Sequence, residues 1–241
     1  MRRGKGGVRV STTPLISAIN TVHDRIDQFY DADLDIAALL QLRNLSAFVG
    51  ELVAASILRD THGLFVANPH QDGYPDLLLM DQVGKADWTR LASRLTDKRP
   101  FSPFPGGGIE VKATCGSVPS PEACRARGLA RPALNESRIT VMSGYDWKAH
   151  HRETNNLLGI LWDFIAGRPR IAALFYSSDL ASEDWGKIVQ PTEGGGRTTS
   201  VSIMHKHGIR KMYDGWLCVL AKGGDAEFLN KRNGEQTIPV G

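Results

Sequence analysis

The chain has 241 residues, enough to bury a full core, and 41% hydrophobic with 23% charged residues is the composition of an ordinary soluble globular protein. Its formal net charge of +3 is compatible with a polyanionic partner without requiring one. Three cysteines, Cys115, Cys124 and Cys218, are too few and too irregularly spaced for a disulfide framework or a zinc knuckle. No apolar stretch approaches the roughly 18–20 residues that span a bilayer. The basic first ten residues are not followed by the apolar segment of a secretory signal, so we expect a cytoplasmic protein with no membrane partner.

The first predicted elements are helices. The pattern is helical from about Thr13 to Asp60, with a break at the turn-forming residues 30–33 and a second helix start at Ser46. Between Ser46 and Leu58 the only charged residue is Glu51. Because a buried carboxylate without a partner is costly, Glu51 should face one. A structural salt bridge and a metal site both remain open for this side chain.

Three predicted strands follow the helices. Residues 63–67 form the first, and a polar turn then leads to Asp76 and the apolar run 77–80, which is typical of a strand buried on both sides. The third strand, 108–114, alternates apolar and polar residues, so Glu110 and Lys112 point to one face. If the second and third strands pair, Asp76 and Glu110 meet at one end of a sheet, with Lys112 about 6–7 Å further along. Such a site can hold a hard cation.

The sequence between the second and third strands is long for a simple hairpin. Asp76 and Glu110 are 110 − 76 = 34 residues apart. Residues 87–95 predict a short helix and residues 100–108 a loop rich in Pro and Gly, so an inserted helix accounts for the distance. Beyond Lys112, residues 115–136 have an irregular pattern with a single helical indication near Pro121.

Pro75-Asp76 followed by Glu110-x-Lys112 resembles the signature of the PD-(D/E)xK nuclease superfamily, best known from type II restriction endonucleases. The resemblance implies an α/β fold with a restriction-endonuclease-like core, a central mixed β-sheet flanked by helices, in the order helix, three strands, helix, strand. We expect one domain, with the core at about 34–145 and a β-rich, DNA-recognising C-terminal half at about 145–241.

The resemblance also implies a function. It predicts a site-specific endonuclease of double-stranded DNA that depends on Mg²⁺, with Mn²⁺ as a possible substitute, and leaves 5'-phosphate ends. Asp76 and Glu110 would ligate the metal, the Val111 carbonyl would be a further ligand, and Glu51 would complete this site or help form a second one. Lys112 would orient or activate the attacking water and stabilise charge on the phosphoryl oxygens. The predicted catalytic residues are therefore Asp76, Glu110, Lys112 and Glu51.

The second half of the chain is predicted to be mostly β, with strand-like runs at 138–142, 157–165, 171–176, 201–204 and 215–221. Two polar clusters, at 145–156 and at 205–211, interrupt these runs as loops that carry cationic and amide side chains. Such side chains read base edges or bind phosphates, although solvated loops are an equally open interpretation. The predicted DNA-binding residues are Lys148, His150, Arg152, Asn155, His205, Lys206, His207, Arg210 and Lys211.

A type II enzyme that cuts palindromic sites would be a homodimer, because two-fold DNA symmetry is matched by two-fold protein symmetry. Two alternatives remain. One is a repair or junction-specific nuclease of the same superfamily. The other is a non-catalytic DNA-binding protein in which Asp76, Glu110 and Lys112 form only a salt-bridge cluster.

Overall fold

The computed structural model describes residues 8–145, 147–149, 152–189, 202–220, 228–230 and 237–240. The helices among them are α1 (Thr13–Asp31), α2 (Ile36–Asp60), α3 (Gln82–Leu91), α4 (Pro121–Ala126) and α5 (Lys206–Asp214). The strands are β1 (Val8–Ser11), β2 (Phe65–Ala67), β3 (Leu77–Leu79), β4 (Gly108–Thr114), β5 (Lys148–Ala149), β6 (Leu157–Ile165), β7 (Arg168–Ser177), β8 (Ser202–Ile203), β9 (Trp216–Leu220), β10 (Phe228–Asn230) and β11 (Thr237–Val240). The protein is thus a mixed α/β structure.

The central sheet is mixed and has the strand order β10-β9-β7-β6-β4-β3-β2, that is, six strands with the short β10 added at one edge. Strands β2, β3 and β4 follow one another as an antiparallel meander, and β6 then pairs with β4 in parallel. The next neighbours, β7 and β9, are again antiparallel. Two further two-stranded sheets, β1–β11 and β5–β8, lie outside this sheet.

The two faces of the sheet are covered differently. Apolar residues of α1 and α2, such as Leu15 and Val53, pack in one cluster with Val111 of β4 and Ile160 of β6. On the opposite face Leu161 of β6 packs with residues of β7, α5 and the segment before β5, and the buried side chains there include Trp147, Trp185, Phe175 and Met212. A third cluster joins Leu78 and Met80 to the segment between β3 and β4 through Leu91, Phe101 and Phe104. The insertion therefore has a small core of its own.

The helical region divides where the sequence predicts. The break after α1 is confirmed, and Asp35 begins α2 because its side chain accepts hydrogen bonds from the Ala37 and Ala38 amides at 3.0 and 3.1 Å. The second interruption lies at Gln41, whose φ of 57° and ψ of 165° are not helical, so the predicted start at Ser46 was too late. No single helix in the described ranges is long and apolar enough to span a membrane, although the bent pair Ile36–Leu42 and Asn44–Asp60 passes that test by length and composition.

Several strand predictions are confirmed and two expectations are wrong. Strands β4 and β6 have the predicted bounds, and α3 begins earlier than predicted because the Asp81 side chain caps it at the Gly84 amide. Residues 138–142 form a turn and not a strand, since the backbone amides of Arg138 and Ile139 donate to the Asp163 carboxylate instead of to a neighbouring strand. Residues 206–211 belong to a helix, α5, and not to a loop.

Candidate functional site

Pairing of β3 with β4 brings the two halves of the motif together. Leu77 pairs with Ile109, so Asp76 and Glu110 lie opposite each other at the next position of the antiparallel pair. The Lys112 Nζ atom lies 3.3 Å from Asp76 Oδ2 and 2.7 Å from Glu110 Oε1, and the Val111 amide donates to Asp76 Oδ2 at 2.8 Å. One ammonium group therefore lies against two carboxylates at the N-terminal end of β3.

The close approach of the two strands depends on the first residue of β4. A Cβ atom at Gly108 would lie only 1.9 Å from the carbonyl oxygen of Leu77 and 2.7 Å from the Pro75 ring. A larger residue would push β4 away from β3 and separate Asp76 from Glu110. Gly108 is thus a structural requirement of the motif pairing.

Burial shapes the charges of the site. The Glu110 side chain is 3% exposed, whereas Lys112 and Asp76 are 24% and 29% exposed. Burial raises the pKa of Glu110 to about 7, with the nearby charge of Asp76 adding to the effect and the Lys112 ammonium opposing it. Burial alone would lower the pKa of Lys112, but the charges of Glu110 and Asp76 outweigh it and raise that pKa above its ordinary value. Lys112 is therefore an ammonium at neutral pH.

One carboxylate oxygen of the site is unsatisfied. Lys112 contacts Glu110 Oε1, but Glu110 Oε2 is buried and has no hydrogen-bond partner in the described part of the chain. A buried acceptor without a donor costs free energy, and a cation is one group that satisfies it. Because the Glu110 amide donates to the Asn156 carbonyl on the β6 side, the amide and carbonyl of Val111 point to the Asp76 side.

These donors fit Mg²⁺, which takes one or two carboxylates, other oxygen ligands and several waters. No group of three or more His, Cys, Asp or Glu side chains that could hold a metal occurs among the residues whose placement is described. A cation at this site would therefore depend on Asp76, Glu110, a backbone carbonyl and water, without a third carboxylate.

Glu51 does not join the site. Helix α2 packs on the face of the sheet that carries Val111 and Ala113, and a Cβ atom at Gly50 would lie 3.8 Å from Ala113. Glu110 and Lys112 alternate with these residues and point to the other face. Glu51 is exposed and pairs with no described residue, so the expectation that it faces a partner was wrong: water solvates its carboxylate.

Asn155 and Asn156 form a layer behind the motif that sequence reasoning did not foresee. The Tyr74 hydroxyl donates to Asn155 Oδ1 at 2.8 Å and accepts from the Asn155 amide at 3.1 Å. The next residue, Asn156, accepts the Glu110 amide at 3.0 Å. The start of β6 therefore connects Tyr74, the residue before Pro75, to strand β4, which carries Glu110. Asn155, which was predicted to bind DNA, makes these hydrogen bonds inside the protein. In the sequence, the signal for this contact was the position of Tyr74 directly before Pro75-Asp76.

The first basic cluster supplies few free side chains. Lys148 is exposed on β5, and His150 lies outside the described residues. Arg152 donates through Nη2 to the carbonyl oxygens of Ser182 and Trp185, at 2.9 and 3.4 Å. Arg152 therefore fastens a loop to the fold.

The second basic cluster lies on α5 and divides into two groups. Lys211 donates to Asp184 Oδ2 at 2.9 Å and to the Asp179 carbonyl at 2.8 Å, and His207 lies 2.7 Å from the Glu183 carbonyl. Asp184 is fully buried and lies on the segment 179–184, which precedes α5. The contacts of Lys211 and His207 with this segment hold α5 in place. His205, Lys206 and Arg210 are exposed and remain available to a partner.

A cavity of about 560 Å³ lies elsewhere, between the end of β7, the start of β9 and the β1–β11 pair. Its lining includes Arg9, Tyr176, Asp214 and Pro239 and none of the motif residues.

No protein-family model, curated protein or solved structure matches this chain. What can be inferred about function therefore comes from the residues of the chain itself.

Proposed function

We propose that the protein is a nuclease that hydrolyses phosphodiester bonds of double-stranded DNA with the help of a divalent cation. The observation that carries this proposal is the arrangement at the end of β3. Lys112 lies against both Asp76 and Glu110, while the second oxygen of the buried Glu110 is left without a hydrogen-bond partner. A divalent cation would supply a partner for that oxygen.

The chain order supports the same proposal. Helix α2, the three-stranded meander β2–β3–β4, the short helix α4 and the parallel strand β6 follow one another in the order that the PD-(D/E)xK resemblance implies. Asp76 is the residue before the second strand of the meander and Glu110-x-Lys112 lies on the third. The positions of both halves of the motif support the proposal.

Asp76, Glu110 and the Val111 carbonyl would hold the cation. When bound, Mg²⁺ would neutralise charge on the phosphoryl oxygens and lower the pKa of a bound water. The raised pKa of Lys112 in the site without a cation favours its ammonium form. An ammonium has three N–H donors and no acceptor, so in this form Lys112 orients the water or the phosphate by donating hydrogen bonds.

Lys112 acts instead as a donor fixed in position. Two of its three N–H groups are directed at Asp76 and Glu110, and the third is left for a phosphoryl oxygen or the attacking water. Hydrogen bonds to oxygens that gain charge in the transition state accelerate phosphoryl chemistry. Attack at phosphorus with loss of the 3'-oxygen leaves the 5'-phosphate ends that the resemblance implies.

Within this class we favour a type II restriction endonuclease that acts as a homodimer. The β-rich second half offers surface for sequence readout, and His205, Lys206 and Arg210 are exposed on it. These side chains can bind phosphates or base edges. A repair or junction-specific nuclease would share the same site and would differ in the DNA that it selects.

The test is cleavage of a long DNA of known sequence by the purified protein in Mg²⁺ and in EDTA, with product ends mapped. We expect discrete, Mg²⁺-dependent fragments. The Lys112→Ala variant should lose at least about 100-fold in cleavage rate, while DNA binding in EDTA stays within a few-fold. Lys85→Ala, which changes an exposed lysine on α3, is the matched control and should cut normally.

Other outcomes would redirect the assignment. A continuous ladder of products, or cleavage only at junctions, would replace the restriction enzyme by a nuclease of different selectivity. Binding without cleavage in any divalent cation would leave a non-catalytic DNA-binding protein. Full activity of Lys112→Ala would remove Lys112 from the mechanism.

A further inference from the structure

Tyr74, the residue before Pro75-Asp76, lies where three segments of the chain meet. It is 6% exposed. Its amide donates to the Phe101 carbonyl at 3.3 Å, and its carbonyl accepts from the Phe104 amide at 2.9 Å. At the other end of the residue, the hydroxyl bonds to the side chain and the amide of Asn155. The insertion between β3 and β4 therefore holds the backbone of Tyr74, and the segment before β6 holds its ring.

The segment before β6 contacts both halves of the motif. Asn155 holds Tyr74, two residues from Asp76, through hydrogen bonds at 2.8 and 3.1 Å. The Asn156 carbonyl accepts the Glu110 amide at 3.0 Å. Because Asn155 and Asn156 are consecutive, the distance between Asp76 and Glu110 depends on one short piece of backbone as well as on the pairing of β3 with β4.

Asp76 has one carboxylate oxygen left for a cation. In the described part of the chain both hydrogen bonds of its side chain go to Oδ2, one from the Val111 amide and one from Lys112. The position of Oδ1 therefore depends on where Pro75 places the Asp76 backbone. The proline ring fixes the φ angle of its own residue, so a displacement of Tyr74 passes to Asp76 with little relaxation at Pro75.

We propose that Tyr74 is a positioning residue for the divalent cation of the motif: its hydroxyl, held by Asn155, sets the spacing of the Asp76 and Glu110 carboxylates. This inference rests on the proposed function, since it requires that these carboxylates hold a cation. Mg²⁺ demands nearly ideal octahedral geometry with short metal–oxygen distances, so a small change in the spacing of its ligands lowers its affinity. Groups that orient metal ligands without touching the metal change its affinity about 10–100-fold.

The first arm of the test measures cation binding without DNA. Mn²⁺ is the probe, because electron paramagnetic resonance measures the concentration of the free ion. Tyr74→Phe keeps the aromatic ring and lacks the hydroxyl, and it should raise the dissociation constant of Mn²⁺ about 10-fold. Asn155→Ala should raise it less, because the Asn155 amide and the Glu153 carbonyl, at 3.1 and 3.2 Å, still bond to the Tyr74 hydroxyl.

Tyr30→Phe is the matched control. The Tyr30 hydroxyl donates to Asp35 Oδ1 at 3.4 Å, in a contact between α1 and the N-cap of α2 that includes no motif residue. Both substitutions thus remove a tyrosine hydroxyl that makes a hydrogen bond, and they differ in where that bond lies. Tyr30→Phe should bind Mn²⁺ as the wild type does.

The second arm measures cleavage over a range of Mg²⁺ concentrations. The Mg²⁺ concentration for half-maximal cleavage should rise about 10-fold in Tyr74→Phe, while the rate at saturating Mg²⁺ stays within a few-fold of wild type. If the substitution merely reduced the amount of active protein, the rate would fall at every Mg²⁺ concentration and the midpoint would stay unchanged.

The outcomes separate this inference from the proposed function. Wild-type Mn²⁺ affinity in Tyr74→Phe, or an equal loss in Tyr30→Phe, would overturn the positioning role alone. Where Tyr74→Phe fails to fold, unchanged Mn²⁺ affinity in Asn155→Ala overturns the role in the same way. A wild-type protein that binds Mn²⁺ and does not cut DNA would overturn the nuclease, while a weaker Mn²⁺ affinity of Tyr74→Phe would still support the positioning role. No Mn²⁺ binding by the wild type would overturn both.

Discussion

Glu110 and Asp163 are two buried carboxylates on one face of one sheet, and they differ in how many of their oxygens accept hydrogen bonds. Both are about 1–2% exposed as residues. Both oxygens of Asp163 accept hydrogen bonds from Ser137, Arg138 and Ile139. Glu110 has the Lys112 ammonium on one oxygen, and its other oxygen has no hydrogen-bond partner among the described residues. The two carboxylates are thus equally buried and differ in their hydrogen bonding.

The largest expected difference comes from making both carboxylates neutral. Glu110→Gln should lower Mg²⁺-dependent cleavage at least about 100-fold, because a metal ligand contributes several kcal/mol. It should change the free energy of unfolding by no more than about 1 kcal/mol, because Lys112 is partly exposed and keeps Asp76 as a partner. Asp163→Asn should lower the free energy of unfolding by about 2–4 kcal/mol, because backbone donors lose a charged acceptor. Denaturant titration and single-turnover cleavage measure the two effects.

The comparison would break if the two variants behaved alike. A strong loss of stability in Glu110→Gln would make Glu110 a structural residue despite its unsatisfied oxygen. A stable Asp163→Asn would show that its hydrogen bonds from Ser137, Arg138 and Ile139 contribute little. The exposed pair partner Glu122 offers a control, since Glu122→Gln should alter neither property.

A buried histidine extends the comparison to pH. His23 Nε2 accepts the Ile171 amide at 2.8 Å, and burial, with Arg170 adding to the effect, lowers the pKa of His23 to about 4 from 6.5. The folded state thus favours neutral His23, so its contribution is fully present above pH 6.5 and is lost as pH falls towards 4. The shift of about 2.5 units corresponds to a loss of roughly 3 kcal/mol.

The measurement is the free energy of unfolding between pH 7.5 and 4.5. His23→Gln should be less stable than wild type at pH 7.5 and should lose less stability on acidification to pH 4.5. An identical pH dependence in the two proteins would mean that His23 is not the titrating group. Working above pH 4.5 limits the contribution of carboxylates such as Asp27, whose pKa is lowered by its arginine partners against the opposing effect of burial.

The smallest effects are expected on α5, where satisfied and free cations stand side by side. Lys206→Ala and Arg210→Ala should each weaken DNA binding by about 3–10-fold at low salt without changing the Tm, because each removes one exposed phosphate contact. Lys211→Ala should lower the Tm by about 3 °C or more, since it leaves the buried Asp184 without its ammonium partner. Wild-type DNA affinity in all three variants would exclude α5 from the DNA interface.

Regular patterns could be predicted from the sequence. The alternating run of β4 and the apolar run of β6 gave the correct bounds, and the alternation also placed Glu110 and Lys112 on one face. The opposite holds where a long-range contact decides. Residues 138–142 have a strand-like composition, but Asp163 draws their amides into a turn. The one acidic residue within the apolar run 157–165 was the signal for such a contact.

The candidate site divides in the same way. The motif residues could be named from the sequence because their order and spacing are local features of two strands. Glu51 lies away from the motif residues, which the sequence could not show because it does not tell which face of the sheet α2 covers. The contacts of Asn155, Arg152 and Lys211 could not be predicted either, because their partners, Tyr74, Ser182 and Asp184, lie far from them along the chain or on another element. That these three residues bind DNA stays a prediction.

The parallel pairing of β4 with β6 has a consequence for the order of folding. Strands β2 to β4 pair with neighbours in sequence order, but Lys112 lies opposite Gly159, 159 − 112 = 47 residues later. Pairings of large sequence separation form slowly, because loop-closure entropy is lost before the contacts are gained. The β2–β3 hairpin can therefore form before the longer-range pairings of β4 with β3 and with β6. We therefore expect the site to be assembled late in folding, so that a partly folded chain carries the motif residues without their final geometry.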